Sequence, residues 1–130
     1  MNETKIFDVN VKLAYGKFNE TKNCTEYKIL VDGLSKDDYS IFDEVFKEVG
    51  KKYIPNWFKE QSGEMFLKSR YNFKVLTTEE KEIDFASWVT TGTTQNSKVR
   101  LKVVLKDGVI YPKAIKVIEN GEQLDLFSDM

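Results

Sequence analysis

The 130-residue sequence has no histidine and a single cysteine, Cys24. The missing histidine removes imidazole acid–base catalysis and every triad built on it. One thiol cannot form an internal disulfide, and zinc sites made from Cys and His are excluded. Glycine (7) and proline (2) are scarce, so no low-complexity linker divides the chain. No apolar run approaches membrane-spanning length, and the start, MNETKIFDVN, carries no basic-then-apolar leader. The expectation is a soluble, intracellular protein with no membrane partner. A phosphate-cradling glycine loop and a metal-ligand constellation are also missing, and Glu79, Glu80 and Glu82 read as a solvated loop. The chain is therefore expected to need no cofactor and to be no enzyme. Cys24, in a polar stretch, reads as a passive thiol.

What is present is a core. The composition is 41% hydrophobic and 13% aromatic, enough for one domain of ordinary size. The net charge of −1 hides a partition. Residues 64–118 carry ten bases against six acids, whereas the last twelve residues carry Glu119, Glu122, Asp125 and Asp129 with no base. A basic region followed by an acidic end makes nucleic acid the partner to consider.

Apolar spacing gives the elements. Phe7, Val9, Val11, Leu13 and Tyr15 alternate with polar residues, as on a half-buried strand. A polar loop, YGKFNETKNCT, separates them from a second strand, EYKILVDG. Tyr39, Phe42, Val45, Phe46, Val49 and Tyr53 then recur at helical spacing behind a capping box of Ser35 and Asp38. Trp57 and Phe58 read as a lid over the core, and Trp88 as core. In EMFLKSRYNFKV, Met65, Leu67, Tyr71, Phe73 and Val75 share one face of a third strand, and Phe66, Lys68, Arg70, Asn72 and Lys74 the other. Two more strands flank Asp107-Gly108, a two-residue hairpin signal that sets Lys106 opposite Val109, Val104 opposite Tyr111, Lys102 opposite Lys113 and Arg100 opposite Ile115. Pro112 lacks a donor and predicts an edge or a bulge. About five strands with one helix inserted after the second predict a mainly β fold, a partly closed barrel of the OB type. It would span residues 1–119, with a flexible acidic tail at 120–130.

The solvent faces of these strands gather Lys12; Phe66, Lys68, Arg70 and Lys74; Lys98, Arg100, Lys102 and Lys106; and Tyr111 and Lys113. Single-stranded nucleic acid needs cations along its phosphates and aromatic rings under its bases, and stacking tolerates any base. Lysine on a solvated strand face also serves to discourage edge aggregation, so the charge pattern alone is diffuse.

The tail carries the sharper signal. Gln123, Leu124, Asp125, Leu126 and Phe127 spell QLDLF, which resembles the pentapeptide that binds the bacterial DNA polymerase sliding clamp. The resemblance implies an extended peptide in a hydrophobic cleft, with Gln123 hydrogen-bonded, Leu124 at the entrance and Leu126 and Phe127 in the deep pocket. The competing reading docks the same apolar residues back on the barrel. More loosely, the basic β-domain with an acidic, aromatic-bearing tip is similar to phage single-stranded DNA-binding proteins, through stretches such as PNWFKEQSGEMFLKSRYNFKV and DGVIYPKAIKVIENGEQLDLF. That resemblance implies a non-sequence-specific single-stranded DNA-binding protein of replication or recombination, in the cytoplasm of a bacterial host, with a homo-oligomer left open. The rival is a phage regulator that occupies the clamp cleft without binding DNA.

Overall fold

A computed structural model describes residues 3–48, 50, 54–107 and 109–121. Two long strands open the chain, β1 (Glu3–Asn19) and β2 (Cys24–Asp32). Then come the helices α1 (Lys36–Glu48) and α2 (Asn56–Glu60), the strands β3 (Met65–Ser69), β4 (Lys74–Leu76) and β5 (Glu82–Asp84), and a third helix, α3 (Phe85–Val89). The hairpin β6 (Lys98–Lys106) and β7 (Val109–Glu119) follows. The strands make one sheet in the order β3-β2-β1-β6-β7-β4-β5, antiparallel except where β4 runs parallel to β7. The sheet curls until Cα atoms of β3 come within 8 Å of β7, giving a half-barrel. The mainly β, OB-like architecture and the helix after the second strand follow the sequence expectation. The strand number does not: the described residues form seven rather than about five, with two five-residue helices besides α1.

The core is the inner face of this curl. Phe7, Val9 and Val11 of β1, Ile29 and Val31 of β2, Met65 and Leu67 of β3, and Val99, Leu101, Val103 and Leu105 of β6 are all buried. Helix α1 plugs one end. Its start is fixed by the capping box, in which the Ser35 N–H donates to Asp38 Oδ2 (2.9 Å) and the Asp38 N–H to Ser35 Oγ (3.2 Å). Phe42 lies 5.3 Å from Phe7 and 5.7 Å from Trp57, centroid to centroid, and Phe46 lies 5.1 Å from Phe58. Phe58 is buried and Trp57 half-buried over the core, as a lid would be. Val49 and Tyr53 lie outside the described residues.

Three local features depart from simple alternation, and all three shape the outer surface. In β1, Val11 pairs with Val31 but Leu13 pairs with Leu30, so Lys12 is an extra residue in a bulge. The bulge reverses the pattern: Leu13, expected inside, is exposed. The supposed loop after Tyr15 is ladder instead, with Lys17 opposite Glu26 and Asn19 opposite Cys24.

At Ser69 the third predicted strand breaks in two. Ser69 Oγ accepts the Tyr71 N–H (3.0 Å), and the Tyr71 carbonyl accepts the Phe73 N–H (3.0 Å). The resulting tight turn throws Tyr71, expected in the core, 81% into solvent.

In the β6–β7 hairpin, Lys106 faces Val109 and Val104 faces Tyr111 as expected, and Asp107 takes the positive φ (52°) of a tight turn. Beyond it, Pro112 pairs with Val103, and Lys102 then faces Ala114 and Arg100 faces Lys116. Lys113 is thus extruded in a bulge beside the donor-less Pro112. The predicted partners Lys113 and Ile115 are each displaced by one.

Candidate nucleic-acid interface

Cross-strand partners share a face of a sheet, so the register fixes what the outer surface displays. Three rows cross β1, β2 and β3 on the side away from the core. Leu13, Leu30 and Phe66 form the first; Tyr15, Lys28 and Lys68 the second; Lys17 and Glu26 begin the third. Lys28 Nζ stands 5.7 Å from the centre of the Tyr15 ring, within cation–π range. The surface is apolar at one side, aromatic and cationic in the middle, and charged toward the hairpin tip.

Two grooves adjoin it. The smaller, about 500 Å³, is lined by Leu30, Pro55, Trp57, Phe66 and Lys68 among others, with Glu60 and Glu64 on its rim. The larger, about 840 Å³, lies along the open seam of the half-barrel, between the end of β3 and the β6–β7 hairpin. Its cations are Lys22, Lys68, Arg70, Lys106 and Lys113; its rings are Tyr71, Phe73 and Tyr111; its acids are Glu26 and Asp107. Lys68 lines both grooves and joins them. Among the described residues, none of the five cations makes an ion pair. The seam gathers them because β3 and β7, adjacent to neither in sequence nor in hydrogen bonding, meet only when the sheet curls.

The other predicted cations lie elsewhere and are largely neutralised. Arg100 donates through Nε (2.9 Å) and a terminal nitrogen (3.4 Å) to the Asp8 carboxylate on the neighbouring strand. This bond holds Asp8 below the usual carboxylate range and raises Arg100 further. Lys12 Nζ is 2.5 Å from Glu64 Oε1, which raises the lysine, and Lys98 Nζ is 3.7 Å from Glu119 Oε2. Lys74 faces Asp84 across β4 and β5. Lys102, between Ile6 and Ala114, has no ion-pair partner among the described residues. The basic face over β6 and β7 is therefore interrupted by acids.

Of the eleven residues singled out in the sequence, the seam brings together Lys68, Arg70, Lys106, Tyr111 and Lys113, with Phe66 in the adjoining groove. Lys12, Lys74, Lys98, Arg100 and Lys102 are not part of it. Tyr15, Lys22, Lys28 and Tyr71 join the surface without having been singled out. The signal for the first three was the β1–β2 hairpin, whose ladder runs on through the stretch read as a loop, pairs Tyr15 with Lys28 and ends in the turn that carries Lys22; for Tyr71 it was the Ser69 hydroxyl two residues before it. The five tail residues, Gln123 to Phe127, lie outside the described residues. No group of three or more His, Cys, Asp or Glu side chains among the described residues is placed to hold a metal ion.

No protein-family model and no curated protein matches the sequence. Solved structures do match the fold. A single-stranded DNA-binding protein from bacteriophage Enc34 in complex with single-stranded DNA superposes with a TM-score of 0.62 at 9% identity, over 94% of this chain and 89% of that one. A second structure of the same phage's single-stranded DNA-binding protein gives 0.55 at 12% identity, over 96% and 86%. A C-terminal truncation of it gives 0.54 at 10% identity, over 93% and 88%. At such low identity the likeness is one of fold: this chain folds as those phage proteins do.

Proposed function

We propose that the chain binds single-stranded DNA along the outer surface of β1–β2–β3 and through the seam cleft, by contact and without chemistry. The observation that carries this is the seam itself. Five cations with no ion pair among the described residues and two exposed tyrosines, Tyr71 and Tyr111, line one cleft, while Lys12, Lys98 and Arg100 elsewhere on the barrel are paired with acids. Cations neutralise phosphates, and each stacked base contributes about 1–3 kcal/mol. The shared fold with a phage protein solved in complex with single-stranded DNA supports the same reading. A fluorescence titration of the full chain with a labelled mixed-sequence single strand tests it. Binding should be tightest at low salt; no binding there refutes the proposal, because phosphate contacts are then strongest.

The working arrangement is a binding domain over residues 1–119 and a recruiting tail over 120–130, acting in phage DNA replication or recombination in the bacterial cytoplasm. The tail pentapeptide, Gln123 to Phe127, docks in the cleft of the host sliding clamp. Burying Leu126 and Phe127 yields roughly 1.5–3 kcal/mol each, and ordering the tail offsets part of it, so affinity near the micromolar level, about −8 kcal/mol, is expected. Clamp pull-down by the full chain should fail for Leu126→Ala/Phe127→Ala; equal recovery ends the clamp reading. Clamp binding with no strand binding would instead favour a regulator that only occupies the clamp.

A further inference from the structure

Two groups in the seam, Glu26 and Asp107, fit neither phosphate binding nor stacking; Asp107 is exposed in the hairpin turn, and Glu26 is the buried one. Glu26 lines the cleft, yet its side chain is an anion in a place built from cations. It is 8% exposed, and Asn19 Nδ2 donates to its Oε1 at 2.6 Å. That bond, with the charges of Lys22, Lys28 and Lys68 behind it, keeps the carboxyl below its ordinary range, so it is ionised at neutral pH. None of these lysines closes to an ion pair with it among the described residues. Oε2 accepts no hydrogen bond among the described residues. Nor is it sealed from solvent: the one buried side-chain polar atom without a partner there is Trp88 Nε1. The cleft thus holds a fixed carboxylate with one oxygen engaged and the other free.

An ionised carboxylate only accepts hydrogen bonds and repels phosphate. Within a path for a single strand, the donors it meets are on the bases. Cytosine, adenine and guanine present an exocyclic amine. Thymine presents only its ring N3–H, set between two carbonyl oxygens that repel a carboxylate. A carboxylate accepting from the cytosine N4 amine is a known mode of base reading.

We infer that Glu26 is a base-recognition site in the seam cleft: it accepts a hydrogen bond from the exocyclic amine of one nucleobase and disfavours thymine at that position. The strand surface remains tolerant elsewhere, since stacking on Tyr71 and Tyr111 does not distinguish bases. Asn19 is the positioning residue; its amide fixes the carboxylate and leaves Oε2 for the base. This inference rests on the single-strand reading above.

The test compares labelled oligo-dC and oligo-dT, about a dozen nucleotides each, bound to the full chain near neutral pH. Oligo-dC should bind at least about fivefold more tightly, the low end of what one good base contact discriminates. Glu26→Gln should bring the ratio close to one, because an amide both accepts and donates. The change of charge alone strengthens both complexes alike and leaves the ratio untouched. Oligonucleotides of N4,N4-dimethylcytosine on the native protein remove the donor without touching the chain, and should also lose the preference. Equal affinity for oligo-dC and oligo-dT, a preference for oligo-dT, or a cytosine preference that survives dimethylation overturns the inference alone. Failure of both native oligonucleotides to bind at low salt overturns the single-strand reading and the inference with it.

Discussion

Lys68 and Arg70 flank Ser69, the last residue of β3, and both line the seam cleft. Removing them should change the salt dependence of strand binding by a calculable amount. If the five cations of the cleft, Lys22, Lys68, Arg70, Lys106 and Lys113, each neutralise one phosphate, five counterions are displaced. For a single strand the slope of log K against log salt is about −0.7 per phosphate, or about −3.5 for all of them, so a fourfold rise in salt weakens binding about 130-fold. Lys68→Ala/Arg70→Ala leaves three, a slope of about −2.1 and a loss of only about 18-fold over the same interval. The control is Lys98→Ala/Lys102→Ala, two cations of the outer β6 face, which should leave the slope at the native value. Anisotropy titrations at about 50, 100 and 200 mM salt measure all three proteins. A cleft variant with the native slope, or a face variant that flattens it equally, refutes the assignment of the path to the seam.

Three further outcomes follow from the same geometry. Phe42, fully buried between Phe7 and Trp57, should cost about 3–5 kcal/mol on Phe42→Ala in urea unfolding; a loss below about 1 kcal/mol would mean the helix does not plug the barrel. A Cβ at Gly121 would stand 1.8 Å from the Gln95 carbonyl oxygen, so Gly121→Ala should break the 2.8 Å bond from the Gly121 N–H to the Thr93 carbonyl and speed hydrogen exchange at that amide; unchanged exchange contradicts the contact. Asp84 caps α3, and its hydrogen bonds from Ser87 hold the carboxyl below the ordinary 3.8. The folded-state value is the lower one, so this stabilisation is complete above the ordinary value and lost as pH falls through the folded one. The gap in urea midpoint between native and Asp84→Asn should therefore close on acidification; a gap that widens contradicts the cap.

Legibility differed from element to element for physical reasons. The capping box at Ser35 and Asp38 and the pairs Lys106–Val109 and Val104–Tyr111 depend on neighbours a few residues apart, and the sequence carries that information directly. Pro112 announced a bulge, but whether the bulge extruded Lys113 or a neighbour depends on how β4 takes the far edge of β7 from Ala114 onward. Tyr71 fell in step with a period of two that a single hydroxyl, Ser69 Oγ, interrupts. The basic faces were visible as charge but not as surface. Arg100 meets Asp8 92 positions earlier, and Lys12 meets Glu64 52 positions later, pairings that exist only once the sheet has formed. The seam cleft has the same origin: β3 and β7 meet through curl, which no local pattern encodes.

Photocrosslinking tests the central claim most directly. A single strand carrying 5-iodouracil at successive positions, bound to the full chain at low salt and irradiated, attaches to the aromatic side chains its bases stack on, and mass spectrometry locates them. The account predicts crosslinks at Tyr71 and Tyr111, on the seam between β3 and β7. Crosslinks confined to residues outside the cleft and the β1–β2–β3 surface would contradict it.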